Sequence, residues 1–451
     1  MMLLSVAICI GAFVALVAVL RIKGVSLGMP IAYLAALLLI HVPGAVAHLL
    51  DANDMLFGRE YTELGIGFTA IGALCFVAGV WLSQRSAVRP ARQAAFRPLF
   101  WQFCLWAGWT VTSLGYMITI PTIGAVIEQG GPIWMLACML GLRTALGRSD
   151  SIRAWKWLGA LAVFPLLMLL LGGFVSYGSA AVIVVFSALA ISTRSRFRVA
   201  VGTMVAVMAG MSVFLSYFQN RNAIRAAVWG GLDTESRIEA SMGTVRDIEM
   251  FSPSNRKHLE ALDLRLNQNF FAGVAATRIE QGKVDYLYGK SLTDGVLSLI
   301  PRALWPDKPI VAGSGRIVAE MTGLRLSTST SFGVGNVMEF QINFGIPGII
   351  AGFLTLGLLI GWLDRRAAEK EEVGDLGGIF VFFLPAVALI QPNGSMVELM
   401  GGSVAALAAG YAWKWGWTRW PKPIIRTAPT PHPPTVGNRA IRMHGQPRQA
   451  S

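Results

Sequence analysis

Apolar residues run along this chain in continuous blocks, at 3–20, 28–50, 64–83, 100–119, 133–147, 156–173, 178–192, 199–217, 342–363, 377–392 and 396–414. Blocks of about 18 to 20 such residues are what a hydrocarbon layer roughly 30 Å thick requires of a spanning helix. The blocks do not alternate as barrel strands do, and lipid offers no partner to open backbone groups. The pattern therefore predicts an all-α polytopic integral membrane protein of about 11 transmembrane helices.

Between the eighth and ninth blocks the pattern changes. Residues 219–340 are mixed in polarity and read as one large, partly helical extracytoplasmic loop, a folded cap. Amphipathic helices are predicted over 222–250 and 254–281. In the second, Leu259, Leu262, Leu266, Phe270, Val274 and Ile279 recur at helical spacing, and Gly282 is its stop. The organisation is thus 1–218, membrane helices 1 to 8; 219–340, cap; 341–414, membrane helices 9 to 11; and 415–451, a basic, Pro-rich tail containing APTPHPPT, whose composition cannot bury a core.

Charge decides orientation. Arg21 and Lys23 follow the first block with no cation ahead of it, the reverse of a cleavable signal, which predicts a retained first helix with its N-terminus outside. The loops carrying Arg85, Arg89, Arg92 and Arg97, then Arg148, Arg153 and Lys156, then Arg194, Arg196 and Arg198 are basic. The intervening loops at 51–63 and 121–131 are neutral or acidic. One parity satisfies them all, with the C-terminus cytosolic and the cap outside. The blocks at 133–147 and 178–192 are short, and losing only one would reverse every later helix.

Composition agrees with a membrane chain: 54% hydrophobic, 14% charged, mean hydropathy +0.56. A net charge of +13 lies mostly in short loops and the tail, where Lys414, Arg419, Lys422 and Arg426 face anionic headgroups, so it does not point to nucleic acid. Cys9, Cys75, Cys104 and Cys138 all fall in apolar blocks and read as small core hydrophobes.

Candidate chemistry concentrates at 288–348. The segment IPRALWPDKP, 300–309, is stiffened by Pro301, Pro306 and Pro309. It presents Arg302 and Lys308, with Arg316 just beyond, as fixed cations suited to a phosphate. The alternative is an ion pair of Arg302 with Asp307 or Asp294 that ties the loop together. Glu339 and Asn343 stand four apart at the start of an apolar helix, placed for a general base and a sugar hydrogen bond. Equally, Asn336 and Glu339 fit a capping box. The cap adds Arg221, Arg225, Arg265 and Arg278, of which two or three are expected to meet a ligand. Arg143 can snorkel to a cytosolic end, while His41, His48 and Glu398 lie nearer the outer half. No metal-ligand pattern, nucleophile elbow, P-loop or dinucleotide fingerprint occurs, so neither a metal nor a cofactor is expected.

The run YGKSLTDGVLSLIPRALWPDKP, a Ser/Thr-rich loop, and MEFQINFGIPG opening a membrane helix, with DLRLNQN upstream, resembles the Wzy-type polymerases of O-antigen and exopolysaccharide repeat units. The detailed likeness covers 265–348. The resemblance implies a metal-independent glycosyltransferase of the bacterial inner membrane that joins undecaprenyl-diphosphate-linked oligosaccharides at its outer face. Its partners would be these lipid-linked substrates, the bilayer, and the pathway's flippase and chain-length regulator. It implies Arg302 as a catalytic group, with Lys308, Arg265 and Asn343 holding diphosphate and sugar, and Glu339 as the base; Arg316 and Arg278, read from the sequence as neighbouring cations, complete the expected binding set. An O-antigen ligase-like transferase is the nearest alternative; the cap's single histidine, His258, is not given the role of the ligases' histidine. A transporter or flippase of lipid-linked glycans is the next, disfavoured because no internal repeat is seen and the polar residues gather in one loop.

Overall fold

The computed structural model describes residues 1–23, 25–50, 55–85, 98–115, 130–172, 176–193, 195–229, 234–246, 248–300, 305, 314–325 and 333–419. Every regular element among them is a helix: α1 (Met2–Lys23), α2 (Met29–Leu50), α3 (Arg59–Gln84), α4 (Pro98–Gly115), α5 (Gly130–Gly147), α6 (Ser151–Gly172), α7 (Ser176–Ser192), α8 (Arg196–Trp229), α9 (Thr234–Arg246), α10 (Arg256–Arg265), α11 (Gln268–Glu280), α12 (Lys290–Ser298), α13 (Ser314–Thr322), α14 (Asn336–Glu372), α15 (Leu376–Ala388) and α16 (Met396–Arg419). Each predicted apolar block falls on one of these helices. Five are long and apolar enough to cross a membrane: Met2–Ile22, Met29–Leu50, Arg59–Gln84, Val201–Ala227 and Asn336–Glu372.

The bundle has two chemically distinct ends. At one, the Met2 N–H donates to Glu63 (3.2 Å) and the Asn336 N–H donates to Pro392 O (2.9 Å). At the other, Arg21 donates to Ala190 O (2.9 Å) and Thr193 O (2.7 Å), and Arg143 pairs with Glu371 (3.0 Å). Arg143 thus has a specific carboxylate partner in addition to its place near a helix end. Buried Asp364, near the close of α14, accepts from the N–H groups of Leu27 (2.9 Å) and Met29 (3.1 Å) at the start of α2. A carboxylate there satisfies amides that the helix itself cannot.

The central pair is α3 with α14, packed along most of their lengths. A Cβ on Gly79 would collide with Leu354 O, and one on Gly357 with Phe76 O. Without lipid-expelling hydrophobic gain, such close backbone approach is how membrane helices hold one another.

Over the first end lies the polar segment expected as a cap. Here α8 continues unbroken to Trp229, and the expected helix over 222–250 is divided between it and α9, which packs back on α8. The single helix expected over 254–281 is likewise two, α10 and α11. The reason is Asn267, drawn inward to donate to Thr62 Oγ1 (2.9 Å) and Asp263 Oδ1 (2.7 Å). The break shifts the helical phase, so Phe271, Ala272 and Ala275 are buried rather than Phe270 and Val274. Gly282, at φ +66°, does end α11.

Candidate functional site

The site begins with an interruption. Phe344 (φ −144°, ψ 16°) and Gly345 (φ 65°, ψ −146°) leave helical geometry inside α14, just before Pro347. Asn336–Asn343 is thereby a short helix of its own, and Glu339 and Asn343 belong to it and not to the long apolar helix after the break. Residues 334–343 are buried without exception, polar Asn336, Glu339, Gln341 and Asn343 among them.

The groups freed by the break are collected by the chain entering α12. Leu287 N–H donates to Ile342 O (2.8 Å), and Gly289 N–H to Asn343 Oδ1 (2.9 Å). Asn343 Nδ2 donates to Ser291 Oγ (2.8 Å) and Glu339 O (2.7 Å). Reaching this position puts Tyr288 at φ 45°, an uncommon conformation for a residue with a side chain, and leaves its ring 74% exposed. Beside the break opens a groove of about 640 Å³ lined by Tyr286, Tyr288, Asn343, Phe344, Gly345, Ile346 and Pro347.

Glu339 does not complete a capping box with Asn336. The N-cap of its helix is Gly335, and Glu339 Oε2 reaches across to accept the Met396 N–H of α16 (2.8 Å). Its neighbours are Ser291 and the Glu398 carboxylate, and Oε1 makes no hydrogen bond of good geometry among the described residues. A capping box is present one helix later. Glu398 Oε2 accepts the Ser395 N–H (2.9 Å) while the Glu398 N–H donates to Ser395 Oγ (3.3 Å). Glu398 is exposed, whereas Glu339 is not, and the hydroxyl of Ser314 donates to its Oε1 (3.3 Å). This is a pair of carboxylates at the start of α16, one enclosed and one open.

The arginines divide. Arg265 and Arg221 both lie over the Phe218 ring, 5.2 and 5.3 Å from its centroid. Burial, then Arg221 and Arg225, push the Arg265 guanidinium down to about 10. Each of the three cations disfavours the others' charge, an arrangement whose local field favours an anion. Arg265 stands three residues before Gln268, across the break at Asn267, and Gln268 Oε1 lies against Gly335 at the head of the short helix. Arg278 is elsewhere, its guanidinium packed on the Gly323 turn after α13, and Arg316 is exposed and paired with Glu320 on its own helix (2.7 Å). Arg302 and Lys308 lie outside the described residues.

What the sequence did not reveal is the purpose of DLRLNQN beyond its arginine. Asp263, Asn267 and Asn269 are all buried. His48 Nε2 meets Asp263 Oδ1 (2.9 Å), whose Oδ2 accepts the Phe57 N–H (2.9 Å). His41 Nδ1 meets Asn269 Oδ1 (2.7 Å), and Asn269 Nδ2 donates to His41 O (2.6 Å). This polar seam fixes α10 and α11, and so Arg265, on α2 and α3. The signal was present as two histidines seven apart on one apolar block, matched by three buried-type polar residues far along the chain.

A model of the family described as a domain of unknown function (DUF8712) matches residues 67–385, well over half of the chain. No curated protein and no solved structure matches.

Proposed function

The chain belongs to the DUF8712 family, and we propose that it polymerises polyprenyl-diphosphate-linked oligosaccharide repeat units at the outer face of a bacterial inner membrane. In this reading about 11 helices span, with the N-terminus and the cap outside, and the basic end of the bundle, bearing Arg21, Arg143 and Arg365, facing the cytosol. The observation that carries it is the meeting of Arg221 and Arg265 over Phe218, with Arg225 close enough to disfavour the charge on Arg265. The likeness of 265–348 to the Wzy-type polymerases supplies the substrate class.

The donor's bond from anomeric carbon to diphosphate oxygen breaks, and a bond from that carbon to an acceptor hydroxyl oxygen forms. The departing lipid diphosphate is held by the three arginines, with Arg302 and Lys308 joined to them by resemblance. The hydroxyl proton passes to a carboxylate. Glu339 was the expected base, but it is enclosed and bonded to α16, so this role is proposed for exposed Glu398, with Glu339 positioning the helix that bears it. The groove at the break offers Tyr286 and Tyr288 to the sugar.

A second reading is favoured by the break itself. Interrupted helices with buried polar residues are the usual frame of transporter sites, and Asn336–Asn343 is such a segment. The glycan profile of a strain lacking the protein separates these two readings and the ligase alternative. Single repeat units at the surface identify a polymerase, long unattached polymer a ligase, and intermediates trapped at the inner leaflet a flippase.

A further inference from the structure

Part of the cap does not lie over the bundle but is sunk between its helices. Phe251, in the turn between α9 and α10, donates its N–H to Ser212 Oγ of α8 (3.0 Å). Leu262 and Leu266 of α10 pack with Met211 of α8, with Leu39 and Ile40 of α2 against them. A hydrocarbon layer roughly 30 Å thick takes about 20 helical residues at about 1.5 Å each. Wherever such a stretch is placed within the candidate span Val201–Ala227, its limit on the cap side falls no earlier than residue 220, about 12 Å beyond Ser212. Within Met29–Leu50 the limit falls no earlier than residue 48, again about 12 Å beyond Ile40. Two separate spans thus agree that α10 and the turn before it lie at membrane depth.

The chemistry at that depth is polar. Residues 248–255 form no regular helix, and Glu249, Pro253 and Ser254 among them are exposed. α10 turns His258, Leu259, Leu262 and Asp263 inward and leaves Arg256 and Lys257 open, with Glu260 paired to Arg256 (2.8 Å). Glu249 meets His258 Nε2 at 3.2 Å while its own side chain is 63% exposed. Irregular backbone and charged side chains are tolerated at this depth where they line water, not where they meet acyl chains. Lipid would suit the exposed Ile248 and Met250 but not the charges on either side of them. We propose that α10 and the 248–255 turn form the floor of a water-filled inlet, open on the cap side and sunk about 12 Å into the layer. Because α10 ends at Arg265, which meets Arg221 over Phe218, a polar solute bearing negative charge reaches these cations through water. The inlet is independent of the reaction proposed above and stands equally if the chain moves glycans rather than joins them.

Nitroxide labels on the full chain in lipid vesicles test it, read by power-saturation electron paramagnetic resonance. Oxygen concentrates in acyl chains, whereas nickel(II) ethylenediaminediacetate stays in water. Cys75→Ala removes the native cysteine that is only half-buried, and Cys9, Cys104 and Cys138 are buried. In that background Val213→Cys marks the exposed side of α8 next to Ser212, and Ser254→Cys and Lys257→Cys, at two exposed positions, mark the floor. The Val213 label should respond more to oxygen than to nickel, and both floor labels in the reverse order. A response dominated by nickel at all three positions overturns the proposal, because α10 then stands above the layer. Dominance of oxygen at the floor labels also overturns it, because that surface then meets acyl chains. So do floor labels that neither reagent reaches, the result of a protein partner seated there.

Discussion

His48 of α2 and Asp263 of α10 stand 2.9 Å apart with 1% and 0% of their side chains exposed, and the cap is fastened to the helical bundle through them. Asp263 also receives Asn267 and the Phe57 amide, so its removal strands several buried groups at once. Each buried hydrogen-bonding group left without its partner costs about 1–3 kcal/mol, so the loss of several at once far exceeds that of an exposed pair. Asp263→Ala should therefore lower the unfolding free energy by that order, read by thermal or denaturant unfolding in detergent. Glu260→Ala, which removes the exposed pair with Arg256, should change it by less than about 1 kcal/mol.

The contact of α3 with α14 makes an opposing pair of glycine substitutions. At Gly357 an added Cβ meets Phe76 O, so Gly357→Ala should destabilise by about 1–3 kcal/mol through forced separation of the helices. At Gly67, on the same α3, nothing lies within 4 Å, and Gly67→Ala should be neutral or stabilise by up to roughly 1 kcal/mol. Melting temperatures of the two variants should move in opposite directions.

Gly345 holds a conformation, φ 65° and ψ −146°, that is essentially reserved for glycine. Gly345→Ala should cost about 1–3 kcal/mol and disturb the groove beside Tyr286 and Tyr288, whereas Ile346→Val, one residue on and half exposed, should cost less than about 1 kcal/mol. Equal melting of the two variants would contradict the role given to the break.

The helices were legible because long apolar blocks bury their backbone groups only as helices, and the helices fall where the blocks do, five of them long and apolar enough to cross a membrane. The cap's helices were legible in kind but not in phase. A single residue, Asn267, leaves the helical path to satisfy Thr62 and Asp263 some two hundred residues apart, and periodicity carries no trace of a partner at that distance. The same holds for Glu339. Local spacing offered it Asn336 as a capping partner, while the amide it binds belongs to Met396 of another helix. Glu398 was noticed only as a carboxylate near an interface, since nothing local distinguishes a capping Glu that is open to a substrate from one that is not.

The arginine cluster predicts a pH-dependent response to anions. Arg265 has a folded value of about 10, below its ordinary one, because burial and its neighbours disfavour the charge. The resulting penalty is fully present below about 10 and is relieved as pH rises through that value toward the unfolded one. An anion offsets the penalty only while it exists. Inorganic pyrophosphate should raise the melting temperature at neutral pH, less so in high salt, and the rise should fade above about pH 10. In Arg265→Ala the rise should be much reduced at every pH.

The central claim is transfer of a glycan from a lipid diphosphate, aided by these cations and by Glu398. The direct test is chain extension by the purified protein in vesicles supplied with lipid-linked repeat units, followed by the length of the product. The intact chain should give a ladder of lengths. Arg265→Ala and Glu398→Gln should each slow extension by about 10²–10⁴-fold, with the fold retained by circular dichroism. A ladder formed at full rate by both variants, or repeat units moved across the bilayer unjoined by the intact chain, would contradict it.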